Sequence, residues 1–406
     1  MRRFLRPALF PSYIAALIVV FAVLTSWCTV KTFGLALSDD EYDVAGWELR
    51  HFPTKWLYKA GHLFDDGLSQ EEENATLLRY VELQRQIETL EGDLNRANAA
   101  GATDDALLQE LRSARGDRDR LENTVESIVE GRLTAVAADL GLERSPPLFP
   151  DARWLFPPFD FEFDEPPYVL VTSPRDHIEL EGSTLLRGDL QLEDALRLEE
   201  KAQSRSDNVS ALVVPTGGIA TYPAVISPGD NYLDILDVAA HEWIHEFLSF
   251  EPLGSRYFNS EALRTINETV ASIGGEEMAR LTAERFPLPA LPPLETTTPK
   301  VDVFAELRSL RLEVDRLLGE GKVDEAEALM EEKRQYLADN GYFIRKINQA
   351  YFAFHGLYGT SGASSSPIGP KVETLRQQSP SLGDFIRAAS GIGSEGDLDR
   401  LLSSTE

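Results

Sequence analysis

The chain has 406 residues, is 43% hydrophobic and carries a net charge of −28, with a pI near 4.6. That length suits one large domain or two to three smaller ones. The acidic balance and the lack of a basic patch exclude nucleic acid as a partner. Cys28 is the single cysteine, so no intrachain disulfide and no cysteine-based metal site can form, and any metal must rest on His and carboxylates.

In chain order, Ser12 to Val30 is an uncharged, mostly apolar run, close to the roughly 20 residues that span a bilayer as a helix. Arg2, Arg3 and Arg6 precede it, only Lys31 follows closely, and Tyr13 and Trp27 lie near its ends. The positive-inside rule then places the N-terminus in the cytoplasm and the rest of the chain outside, on a single-pass membrane anchor. An uncleaved anchor over residues 1–34 is preferred to a cleaved signal peptide, because the apolar run is long and no small-x-small site directly follows it. Residues 35–69 read as a mixed juxtamembrane stretch containing Trp47, Phe52, Trp56 and Tyr58.

Residues 70–144 carry two apolar seams of coiled-coil spacing. The first is Leu83, Ile87, Leu90, Leu94 and Ala97; the second is Leu111, Ala114, Arg118, Leu121, Val125 and Ile128. Arg118 fits if its stem lies along the seam with the guanidinium in water. An antiparallel helical hairpin is the simplest reading, and a parallel dimeric coiled coil, an oligomer contact, is the alternative. Ser145-Pro-Pro-Leu-Phe-Pro150 marks a boundary.

Residues 145–300 predict an α+β domain. Strands are expected at Tyr168–Thr172, His177–Glu181, Ala211–Val214 and Gly217–Ile226, the last at a sheet edge because of Pro223. A helix is expected at Leu192–Gln203, and Phe286 to Pro293 is an extended linker. Residues 301–406 read as a C-terminal helical subdomain. It has helices at Val301–Leu318, Val323–Asp339 and Tyr342–Phe354, a flexible loop at Ser361–Pro367, and a last helical segment.

The chemistry concentrates in His241-Glu242-Trp243-Ile244-His245. Two histidines four apart on a helix project from one face and can share one zinc ion, Zn2+. Glu242 is then placed to take a proton from the attacking water and return it to a leaving amine. With six His in 406 residues, chance produces such a pattern in roughly one chain per hundred. A catalytic zinc takes a third protein ligand. Glu268 is the best candidate, mid-helix in a weakly charged stretch capped by Asn259 or Ser260, with Glu261 its competitor on the same face. Glu276 and Glu277 read as solvated. Asp237, one turn before His241, can accept the free ring N–H of that histidine or cap the helix, and Asn267 can bond to the site or to substrate.

The His-Glu-x-x-His run followed by Asn267-Glu268-Thr-Val-Ala271 resembles the gluzincin zinc metallopeptidases, and within them bacterial proteins assigned as aminopeptidases. The overlap covers residues 236–280, about a tenth of the chain. The resemblance implies a small mixed sheet with a zincin-type metal helix pair. It also implies His241, His245 and Glu268 as zinc ligands, Glu242 as general base and acid, and Tyr358 or His355 as support for the oxyanion. Gly217-Gly-Ile-Ala-Thr-Tyr222 departs from the aminopeptidase pattern because it lacks the Glu that binds a free amine; no Glu occurs between Lys201 and His241. The expectation is therefore a zinc-dependent peptidase acting on a peptide or protein substrate, with aminopeptidase activity as a narrower form. The alternatives are a non-catalytic membrane-anchored scaffold that binds a partner through the hairpin, and a metal hydrolase of non-peptide amides.

Overall fold

The computed structural model describes residues 39–61, 67–99, 104–144, 154–289 and 299–403. The expected anchor at 12–30 lies outside them. No helix among the described residues is long and apolar enough to cross a membrane.

The fold is mixed α+β and mostly helical. Helix α1, Val44–Gly61, occupies much of the stretch read as juxtamembrane. Helices α2, Gln70–Ala99, and α3, Asp105–Asp139, form the hairpin. It is antiparallel: Glu91 meets Arg115, Gln84 meets Arg118 and Glu73 meets Arg132, so numbers rise on one arm as they fall on the other. The seam closes within the chain, burying Leu83, Ile87, Leu90, Leu111 and Ala114. Arg118 lies partly buried in the seam and turns its guanidinium to Asp119 and Glu122.

Two three-stranded sheets replace the single sheet expected from sequence. The first has the order β3–β2–β4, with β2 at Tyr168–Pro174, β3 at Gly182–Leu186 and β4 at Val209–Pro215, all antiparallel. Side chains alternate across it as the pleat requires. Val169, Val171, Leu212 and Val214 face one core, and Leu170, Leu186, Ala211 and Val213 face another under α4, Leu192–Gln203. The strand expected at His177–Glu181 is instead the connection from β2 to β3. Pairing Thr172 with Gly182 carries Leu186 into the core, and exposed His177 is held by Asp176 and Glu179. The second sheet, β1–β6–β5, comprises β1 at Phe161–Phe163, β5 at Gly218–Ile219 and β6 at Ala224–Ile226. The single strand expected over Gly217–Ile226 is therefore broken. Thr221 to Pro223 turn the chain, β6 becomes the centre and β5 the edge.

Helix α5, Tyr232–Ser249, is followed by the short α6, Pro252–Ser255, a single turn at Tyr257–Asn259, and α7, Glu261–Arg285. The C-terminal helices are α8 at Val303–Gly319, α9 at Val323–Asp339, α10 at Gln349–His355, α11 at Ile368–Gln378, α12 at Leu382–Ser390 and α13 at Glu395–Ser403. They divide between two cores. Leu310, Val314, Met330 and Phe352 pack on the β2–β4 sheet. Val372, Phe385, Ile386 and Leu398 pack with α5, α7 and the base of the hairpin. The loop expected to be flexible at Ser361–Pro367 buries Ala363 and Ser364, and the Ala363 carbonyl accepts a hydrogen bond from Arg311.

Beneath the site, Lys55 of α1 is fully buried among Glu126 and Glu130 of α3 and Glu162 of β1, and also donates to the Phe161 carbonyl. Lys59 pairs with Glu130 and Asp160. This network ties α1 to the hairpin and the second sheet.

Candidate functional site

Helix α5 is oriented by its apolar face. Leu236, Ala239, Ala240, Trp243, Ile244 and Phe247 are buried at helical spacing. Trp243 stacks on Phe159 at 4.4 Å and donates to the Pro157 carbonyl at 2.9 Å. The opposite face carries His241 and His245 into a cleft of about 540 Å³. Helix α7 starts at Ser260, whose hydroxyl accepts from the Leu263 N–H at 3.2 Å, and runs antiparallel beside α5. Its close approach depends on Gly275: a Cβ there would stand 2.9 Å from Asp237 Oδ1 and 3.1 Å from His241 Cβ. This brings Glu268 to the histidines. Glu261 is left exposed in the first turn of α7, so Glu268 is the one that converges.

The three side chains direct one atom each at a common point. His241 Nε2 and His245 Nε2 are 3.1 Å apart. Glu268 Oε2 is 3.8 Å from the first and 3.4 Å from the second. Donors at about 2.0–2.1 Å from one tetrahedral ion stand roughly 3.3 Å apart, so the group fits a shared metal ion, and among the described residues it is the one group found that could hold one. Asn267 Oδ1 lies 2.6 Å from His245 Nδ1. Accepting that ring N–H leaves the Nε2 lone pair facing the ion site. Tyr257 donates its hydroxyl to Glu268 Oε1 at 2.5 Å, leaving Oε2 for the ion.

The electrostatics show how the protein balances these groups with protons alone. Burial pushes His241 down to about 3, with the charge on His245 adding to the effect. Burial also works to lower His245, but the Glu268 charge and the hydrogen bonds that the ring donates to Glu268 and Asn267 outweigh it and raise His245 to about 9. Burial works to raise Glu268, yet the two histidines and Tyr257 hold it at about 2. The site thus carries a His245 cation against a Glu268 anion, and a metal ion would replace that proton.

Glu242 is 7% exposed, and burial pushes its carboxyl up to about 7. Its Oε1 lies beneath the β5 strand, where a Cβ on Gly218 would come within 2.7 Å of it. Glycine at 218 is what lets the strand close over this carboxylate.

Of the two residues proposed for oxyanion support, one reaches the cleft. Helix α10 ends at His355, so Tyr358 lies beyond it and the two do not share a helical face. The Gly359 N–H bonds to Thr269 Oγ1 at 3.0 Å, which pins this segment to α7 and sets Tyr358 in the cleft wall, its ring 6.4 Å from that of His241. Burial and the charges of Glu268 and Glu242 push the Tyr358 hydroxyl well above its ordinary value, so it is a permanent donor. His355 packs on Tyr351 at 4.3 Å and is lowered to about 4 by burial. Asp237 lines the cleft but makes no hydrogen bond to His241. Burial and Glu276 raise its carboxyl to about 6. Glu276 is exposed at the cleft edge, and Glu277 is held by Arg376 rather than free in solvent.

Tyr257 and Arg264 were not anticipated. The available signal was the Tyr257-Phe258 pair ahead of the Ser260 cap, with Arg264 one helical turn before Glu268. No protein-family model, curated protein or solved structure matches the chain.

Proposed function

We propose that this chain is a zinc-dependent peptidase of gluzincin type, with His241, His245 and Glu268 holding the ion and Glu242 as general base and acid. The observation that supports it is the convergence of three ligand atoms beside a buried carboxylate with an otherwise unused proton-accepting oxygen. When bound, the ion supplies Lewis acidity, polarising the carbonyl oxygen and lowering the pKa of water to about 7. Glu242 takes the proton of the attacking water as the new C–O bond forms. It then delivers that proton to the amide nitrogen as the C–N bond breaks, releasing a carboxylate and an amine. Tyr358, a neutral donor on the cleft wall, hydrogen-bonds the oxygen that gains charge in between. Asn267 and Tyr257 hold the ligand side chains in orientation.

A scaffold role leaves this base without use, since structural zinc sites are closed by four protein ligands. The apolar run at 12–30 and the arginines before it support a single-pass anchor with the catalytic region outside the cytoplasm. The test is the full-length protein with Glu242→Gln. It should hold about one zinc per chain and lose hydrolysis of a peptide library by about 10²–10⁴-fold. Hydrolysis at the parent rate overturns the reading.

A further inference from the structure

Arg264 lines the cleft and is its one guanidinium or ammonium group; the carboxylic acids there are Asp237, Glu242, Glu268 and Glu276. It lies one turn before Glu268, on the same face of α7. Its guanidinium lies over the rings of Tyr257 and Phe258, 5.7 and 5.9 Å from their centroids. Such stacking leaves the N–H edge of the fork open to a planar anion. In a chain with 67 acidic and 39 basic residues, Arg264 nevertheless makes no ion pair within 4 Å among the described residues, feeling Glu261 only at longer range, and its Nε is out of solvent without a hydrogen-bond acceptor. Glu261, also one turn away on α7, makes no ion pair with it.

The two ends of the cleft differ in sign. Asp237 lies one turn before His241, beside Gly275 and near Glu276. Because α5 and α7 are antiparallel, this anionic end and Arg264 lie on opposite sides of the His241–His245–Glu268 group. A carboxylate is repelled at the first end and met by a fork of donors at the second. Phe258, 54% exposed, adds an apolar surface there.

We propose that Arg264 recognises a substrate carboxylate, which makes the substrate class peptides bearing an α-carboxylate or an Asp or Glu side chain close to the cleaved bond. Arg264 lies four positions before Glu268, about 6 Å along the helix axis. An extended peptide covers that in about two residues. The assignment rests on the hydrolytic reading for the bond cleaved, but not for the binding itself.

The experiment uses full-length, zinc-loaded Glu242→Gln protein and calorimetric titration with one tetrapeptide in three forms: free C-terminus, C-terminal amide, and C-terminal amide with Glu as the last residue. One of the two carboxylate forms should bind roughly 10- to 100-fold tighter than the neutral amide, and which one it is separates the α-carboxylate from the side chain. Arg264→Gln in the same background should abolish the difference, and Arg264→Lys should restore part of it. Equal affinity of all three forms, absence of binding included, overturns the proposal, as does a preference that survives Arg264→Gln. If Arg264→Gln fails to load zinc, Arg264→Met, which keeps the apolar stem against Tyr257 and Phe258, takes its place: a carboxylate preference that survives it overturns the proposal. Failure of the hydrolytic reading looks different, because the carboxylate preference would remain while protein with Glu242 intact cleaves none of the peptides.

Discussion

Asn267 holds the Nδ1 side of His245 through its side-chain oxygen, 2.6 Å away, while its neighbour Glu268 approaches the Nε2 side of the same ring at 3.4 Å. Consecutive residues of α7 therefore grip one imidazole from two directions. Replacing Asn267 with Ala removes the acceptor that sets the tautomer, so zinc affinity should fall about 10–100-fold with little change in fold. Competition with a chelator measures it. Unchanged affinity would show that ring packing alone orients His245.

Metal loading should release protons. His245 is protonated below about 9, and its Nε2 must give up that proton to bind the ion. Titration of metal into the apoprotein in two buffers of different ionisation enthalpy should report release of about one proton or more at pH 7. The His245 contribution should vanish as the pH rises through about 9. Release independent of pH from 7 to 10 contradicts the His245–Glu268 charge pair.

Gly275 sets the spacing of α5 and α7. Gly275→Val places methyl groups where even a Cβ is already 3.1 Å from the Asp237 carbonyl oxygen and from His241 Cβ. Overpacking of this kind costs about 1–3 kcal/mol and should also weaken metal binding by pushing Glu268 away. A thermal melt and a zinc titration on one preparation test both effects; a variant with parental values in each would show that α5 and α7 are not held this tightly.

His355 gives a separate pH dependence. Its folded value, near 4, is below the ordinary 6.5 because burial disfavours the cation. Between these values the unfolded chain binds more protons, so stability falls as pH drops from about 6.5 and levels off near 4. At 1.36 kcal/mol per unit, the loss is of order 3 kcal/mol. His355→Phe should flatten this part of the parent's curve of melting temperature against pH, and identical curves would place the acid sensitivity elsewhere.

Lys55 is the cation at the centre of the buried network. Lys55→Met leaves Glu126, Glu130 and Glu162 without it. Removing one partner of a buried ion pair costs about 3–5 kcal/mol. Urea unfolding should show a loss in that range, while a loss below about 1 kcal/mol would mean that the carboxylates take up protons at little cost.

Local spacing by itself picked out the candidate site. Histidines four apart must share a helix face, and Glu268, midway along the next helix in a weakly charged stretch, is preferred to Glu261, a choice that the antiparallel packing of α5 and α7 then decides. The hairpin was legible from spacing too, since its seams repeat along each helix. What only the tertiary structure decided depends on contacts between distant segments. The pairing of β2 chose Gly182–Leu186 over the alternating His177–Glu181, because that register buries Leu186. The Thr269 contact to Gly359 placed Tyr358 in the cleft, while α10 kept His355 against Tyr351. The Tyr257 bond to Glu268 and the unpaired guanidinium of Arg264 arise from the turn between two helices, whose path no local period describes. Helix periodicity fixes which residues share a face, whereas what that face meets depends on how segments far apart in sequence pack.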